Sequence, residues 1–209
     1  MVESIYLAAT EAASGKSAVA LALLEHLGRR VGRVLPFRPI VPAVGEDALL
    51  DVLRARLGPE SPPTEDLCGV SYEEVHADLD AAMSDIVDRF HAVADRCDLV
   101  LVIGSDFSDI ATPTEFSVNA RIAANLGARM VLVLPTGERP ASGAAAAVDA
   151  ALAAAAENHA TVSGVVVNQV APTDVDRYAA AVAERVGPVP VVALPDVPLL
   201  RAPTMQDLA

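Results

Sequence analysis

Tryptophan is absent from this chain of 209 residues, and the aromatic residues together make up only 3% of it. A core without large rings must be built from Ala, Val, Leu and Ile, which suits parallel strands covered on both faces. Cysteine is nearly as scarce. Cys68 and Cys97 lie far apart with no CxxC spacing, the pattern of free thiols in a reducing compartment. Basic side chains number 15 against 28 acidic ones, a net charge of −13, which excludes a nucleic-acid surface because such a surface needs a basic stripe. No uninterrupted apolar run approaches the length of a membrane span, so no membrane partner is expected. The chain enters a strand-like segment with no basic leader before it, so the expected address is the cytoplasm.

What is present is alternation. Apolar runs at 5–10, 31–36, 98–104, 129–134, 162–170 and 189–194 predict strands. The one at 98–104 lacks polar alternation, as a central parallel strand would. Helical spacing predicts helices over 16–30, 47–57, 116–126, 144–156 and 175–186, several of them closed by glycine. The alanine-rich 144–156 stretch has high helix propensity and lies between two strands, so it reads as a closely packed crossover helix. Ser71 and Glu74 form a capping box that predicts a long helix to about Arg96. The stretch from Pro39 to Leu67 is the least regular. Strand and helix repeated in this order predict an α/β fold: a doubly wound, mostly parallel sheet with helices on both faces. Residues 1–194 form the expected domain. The proline-bearing tail, 195–209, predicts a connection to a further domain downstream.

The segment Thr10-Glu11-Ala12-Ala13-Ser14-Gly15-Lys16-Ser17 follows the first predicted strand and opens the first helix. A phosphate loop requires that junction, because N–H groups at a helix N-terminus point at an anion and the helix dipole favours negative charge there. Lys16 would reach between phosphates, and the Ser17 hydroxyl would hold Mg2+. The expected ligand is ATP or ADP with Mg2+. The usual loop begins with Gly where this chain has Thr10. Partition and septum-placing ATPases carry a second lysine early in the loop, where this chain has Glu11, an acid that would repel phosphate. Thr10-Glu11 is instead similar to the Thr-Asp of the dethiobiotin synthase loop.

The residues from Ile5 to Glu11, then Ser14 to Ser17, resemble the N-terminal domain of the long bacterial phosphate acetyltransferases. Pro36-Phe37-Arg38-Pro39-Ile40, the strand ending at Gly104, Asn119 to Gly127, Gly164 to Gln169 and the tail from Pro195 extend the resemblance over nearly the whole chain. It implies a P-loop NTPase-like domain of the dethiobiotin synthase type, followed in the same polypeptide by other domains, of which the C-terminal one transfers acetyl between CoA and phosphate. It also implies a homo-oligomer, since the domain is associated in that family with hexamer stability and with responses to metabolites such as NADH and pyruvate. Two positions depart from a working synthase. Arg38 stands where a lysine precedes the proline, keeping the charge in a different geometry. Ile103 stands where a metal-binding Glu would end the central strand. A carboxylate just beyond it, Asp106 or Asp109, is then the candidate metal ligand beside Ser17.

Asn168, at the end of a strand, is read in two ways: as the asparagine that bonds an adenine edge in the synthase fold, or as a turn residue capping local backbone. Asn119 either points at the site or lies on a solvated face. The loop from Ser105 to Glu115 lies where ligands bind in open α/β sheets, and reads equally as a plain acidic loop. His26, His76, His91 and His159 have no i, i+4 partner suited to zinc. The functions that follow are a regulatory or assembly domain, a stand-alone ATP-dependent ligase, and a nucleotide-binding module for protein partners. No catalytic residue is assigned within the chain.

Overall fold

The computed structural model describes residues 2–105 and 114–201. Among these, seven strands form one sheet: β1 (Glu3–Ala9), β2 (Val34–Val41), β3 (Cys68–Ser71), β4 (Leu99–Ile103), β5 (Arg129–Pro135), β6 (Val162–Val170) and β7 (Val191–Pro195). Their spatial order is β3-β2-β4-β1-β5-β6-β7, and every pairing is parallel. The helices are α1 (Lys16–Gly28), α2 (Ala48–Leu57), α3 (Tyr72–Ala77), α4 (Leu79–Ala94), α5 (Thr114–Asn125), α6 (Ala141–Glu157) and α7 (Val175–Val186). The expected doubly wound sheet is therefore observed. No helix among the described residues is long and apolar enough to cross a membrane.

Side chains alternate between the two faces. Leu7, Leu99, Leu101, Ile103 and Val133 pack with Val19, Ala20 and Leu24 of α1 and Leu53 of α2. Tyr6, Ala8, Phe37, Val100, Val102 and Leu132 pack on the opposite face with Ile86 and Phe90 of α4, Val148 of α6 and Val182 of α7. Right-handed crossovers explain the split: connections running toward β3 put their helices on one face, and those running toward β7 put theirs on the other. The winding reverses at β1 and β4, so the carboxyl ends of these neighbouring strands mark the crevice where an open α/β sheet binds ligands.

Three elements differ from expectation. β2 does not end at Pro36 but runs through Pro39 to Val41, with all eight residues buried. It pairs with β4 from Val34 to Phe37 and with β3 from Arg38 to Val41, so neither proline lies where both sides of the strand are paired. β3 itself has only four residues, and its Gly69 packs so closely on β2 that a Cβ would lie 2.1 Å from the Pro39 carbonyl oxygen. The long helix expected after Ser71 is two helices. Asp78 has extended backbone (φ −156°) and its carboxylate accepts from the N–H groups of Asp80 and Ala81, capping α4 anew.

The capping box itself forms: Ser71 Oγ accepts from the Glu74 N–H at 3.2 Å, and a Glu74 carboxylate oxygen accepts from the Ser71 N–H at 2.7 Å. Hydrogen bonds from Ser71 hold the Glu74 carboxyl below its ordinary value. A lowered folded-state pKa gives stability that is present above the unfolded carboxylate range and lost as pH falls through the folded value. Ser71→Ala is therefore expected to cost about 1 kcal/mol near neutral pH. Urea unfolding as a function of pH checks this, and the gap from wild type should narrow on acidification.

Candidate anion site at the phosphate loop

The loop leaves β1 at Ala9 and turns into α1 at Lys16. Gly15 adopts the left-handed conformation (φ 76°) that this turn needs, with its carbonyl already accepting the first helical bonds from Ala18 and Val19. A Cβ on Gly15 would lie 2.4 Å from Asn168 Nδ2, so only glycine fits there. Thr10 donates its N–H to the Val133 carbonyl of β5 at 3.2 Å, tying the loop's start to the neighbouring strand. Ser14 is buried, and its Oγ accepts from the Lys16 N–H at 3.3 Å. Ser17 is exposed at the rim of a cleft of about 460 Å³ shared with Arg38, Asp47 and Tyr72.

Lys16 is the only lysine in the sequence, the other 14 cationic side chains being arginines. It is 3% exposed, and its ammonium donates to the carbonyls of Gly104 and Ser105 at the end of β4. These acceptors lie just past Ile103, so main-chain oxygens hold the lysine where no strand-end acid is present. Ser105 is fixed in turn by Asn119. The Asn119 side chain is 2% exposed, accepts from the Tyr6 hydroxyl at 2.7 Å and the Ser105 N–H at 3.0 Å, and donates to Ser105 Oγ and the Glu115 carbonyl at 2.9 Å. Asn119 thus lies on neither a solvated face nor a ligand surface; it is a clamp beneath the site. Burial pushes the Tyr6 phenol well above its ordinary value, which keeps it a hydroxyl donor, while Arg38 acts in the opposite direction.

Arg38 makes a buried ion pair. Its guanidinium meets Asp47 Oδ2 at 2.9 Å, with both side chains about 5% exposed or less, and Asp47 Oδ1 accepts from the Leu50 N–H at 2.8 Å to cap α2. Glu11 faces Arg139 at 2.7 Å rather than the interior of the loop. Asn168 donates to the Ser14 carbonyl at 2.9 Å, and Gln169, itself left-handed (φ 62°), donates to the Ala13 carbonyl at 3.0 Å. Asn168 thus bonds the backbone of the loop itself, 154 residues away, rather than a local turn. Among the described residues, no group of three His, Cys, Asp or Glu side chains stands ready to hold a metal. Asp106 and Asp109 lie outside the described residues. The cysteines are free, Cys68 buried and Cys97 half-buried, and burial pushes both thiols up.

A sequence profile for the family described as "AAA domain" matches residues 3–204. The chain belongs to the AAA domain family. It is 30% identical to a phosphate acetyltransferase from Synechocystis sp. over 92% of its own length, and 29% identical over its full length to one from Nitratidesulfovibrio vulgaris. It spans only 29% and 31% of those two proteins, less than a third of either. This agrees with the resemblance to the N-terminal domain of phosphate acetyltransferase read from the sequence. Among solved structures, an ATP complex of a Cyanothece McdA variant superposes with a TM-score of 0.59 at 12% identity, covering 96% of this chain and 85% of McdA. The apo form of Cyanothece McdA gives the same TM-score at 11% identity over 96% and 88%. At such identities the likeness establishes the P-loop NTPase-like fold.

Sequence reasoning placed the loop but not its partners. Asp47, Arg139 and Gln169 are contributed by α2's cap, the β5–α6 turn and the end of β6. Asp47, expected as the first residue of the 47–57 helix, is its cap, and its pairing with Arg38 depends on β2 running past Pro36. The solitary lysine was visible in the composition and is the sharpest single pointer to position 16.

Proposed function

We propose that this chain is the N-terminal regulatory and assembly domain of a phosphate acetyltransferase, and that it retains a phosphate loop as an internally satisfied anion site. Acetyl transfer from acetyl-CoA to phosphate then belongs to a part of the polypeptide outside these 209 residues. The observation that carries this reading is Lys16: the one lysine kept in an otherwise arginine-only chain is turned inward onto two main-chain carbonyls. A lysine at the start of the first helix supplies the point charge that a phosphate loop directs between phosphates. The cradle of left-handed Gly15 and the start of α1 fits a phosphate group. When bound, ATP or ADP would be held there by Lys16, with Mg2+ at the Ser17 hydroxyl. Asp47, across the same cleft, is already engaged by Arg38 and by the Leu50 N–H and does not offer a ready carboxylate. Phosphoryl transfer depends on the metal more than simple binding does, which supports a binding role over a ligase role.

The full polypeptide's other domains, and further copies of itself, are the partners this reading implies, in the cytoplasm. Two measurements test it. Incubated with acetyl-CoA and phosphate, the chain is expected to make no acetyl phosphate, and robust turnover would overturn the assignment. Calorimetry with MgATP, ADP and NADH is expected to show binding of at least the adenine nucleotides in the micromolar to millimolar range, lost in Lys16→Ala. Silence at millimolar ligand would remove the nucleotide site from the proposal.

A further inference from the structure

Glu11 is an anomaly in an anion site: a carboxylate placed on the loop that should receive negative charge. The structure gives it a counterion. Arg139, on the turn between β5 and α6, contacts both Glu11 carboxylate oxygens at 2.7 Å. The arginine is well supported. Its N–H donates to the Thr136 carbonyl at 3.0 Å, its guanidinium donates to the Pro135 carbonyl at 3.3 Å, and its own carbonyl accepts from the Tyr178 hydroxyl. The pair spans an open cleft of about 490 Å³ whose walls include Ala12 and Ala13 of the loop and Gln169.

From this arrangement we infer that Arg139 is a second phosphate ligand of the loop, and that Glu11 occupies it until an anion displaces the carboxylate. This rests on the reading of the loop as an anion site. The chemistry favours exchange. Both side chains are near 40% exposed, and ion pairs of that kind contribute only about 0–1 kcal/mol. Arg–phosphate contacts are charge-assisted, frequently bidentate and stronger. Glu11 lies on the loop itself, and the cleft that Arg139 lines extends to Ala12 and Ala13 of that loop. The ligand class is a polyphosphate, free or as the tail of a nucleotide.

Calorimetry with magnesium pyrophosphate and with MgATP on the intact chain tests this in a mutant cycle of Glu11→Gln, Arg139→Gln, the double variant and Lys16→Ala, each checked for native melting. Glu11→Gln is expected to tighten both ligands about tenfold by removing the repulsion and the competitor. The deciding comparison is made within the Glu11→Gln background, where Arg139 has no carboxylate to neutralise. There, adding Arg139→Gln should weaken binding about tenfold, the size of one charge-assisted contact. If it changes nothing while Lys16→Ala still abolishes binding, the loop is an anion site, Arg139 is only a tie, and the inference falls. If no variant binds either ligand, the anion-site reading falls and takes this inference with it. Pyrophosphate and ATP responding alike assigns the contact to phosphate oxygens; a response to neither within the double cycle overturns it.

Discussion

Asp47→Ala is expected to lower stability by about 3–5 kcal/mol. The carboxylate is 4% exposed and bridges two elements at once: it neutralises Arg38 in β2 and caps α2 through the Leu50 N–H. Removing it takes away the counterion 2.9 Å from a buried guanidinium, and that loss outweighs the cap, which contributes only about 1 kcal/mol. Asp47→Asn separates the two effects. Asparagine caps helices as well as aspartate does, so whatever loss remains in that variant belongs to the charge. Urea denaturation of both variants gives the comparison. A cost below about 1 kcal/mol for the alanine variant, typical of exposed pairs, would mean that the pair is solvated. Arg38→Leu combined with Asp47→Asn is expected to recover much of the loss, because the buried guanidinium is removed together with its counterion.

The second large effect is expected at Asn119→Ala. Four hydrogen bonds converge on this amide, and its deletion strands the Tyr6 hydroxyl and the Ser105 N–H in the interior. At roughly 1–3 kcal/mol for each unsatisfied buried group, about 3 kcal/mol should be lost. The consequence extends to the site, since Ser105 supplies one of the two carbonyls that hold Lys16. Gly104 gives an independent check. A Cβ there would lie 2.3 Å from Asn119 Oδ1, so Gly104→Ala should be destabilising with Asn119 present and much less so in the Asn119→Ala background. Thermal melts of the two single variants and the double variant measure that coupling, and simple additivity would mean that the two residues are not in contact.

The fold was legible because its driving force is periodic. Unalternating apolar runs such as 98–104 and the alanine stretch later found in α6 carry the two-faced burial of a parallel sheet in their composition alone. What escaped was set by neighbours in space. The strand rule that stops at proline gave up β2 at Pro36, because no sequence shows that a strand changes partners halfway and so spares both prolines an unmet ladder bond. The four-residue β3 is too short to display a period, and it depends on Gly69 lying against Pro39. At Asp78 the apolar spacing continues across a break that one carboxylate imposes from outside the helix. In the site, the loop's own residues were readable, whereas the groups that satisfy it come from the ends of β4 and β6 and from the turn after β5. A search by spacing cannot join positions that lie 88 to 156 residues apart. Asn119 shows the same limit: a polar residue in a helical repeat reads as surface until the Tyr6 hydroxyl is found opposite it.

The solitary lysine also gives the molecule a built-in chemical reporter. Apart from the chain's terminal amine, Lys16 offers the only primary amine to an acylating reagent, and it is sequestered against two carbonyls. Its rate of modification therefore follows a single event, the excursion of that side chain away from β4, with no background from other side chains to subtract. A mass spectrum taken over time would read the release of that side chain from the Gly104 and Ser105 carbonyls. A phosphate ligand that captured the extended lysine and one that merely rigidified the closed form would both slow the labelling. Either would do so in proportion to its occupancy of the loop.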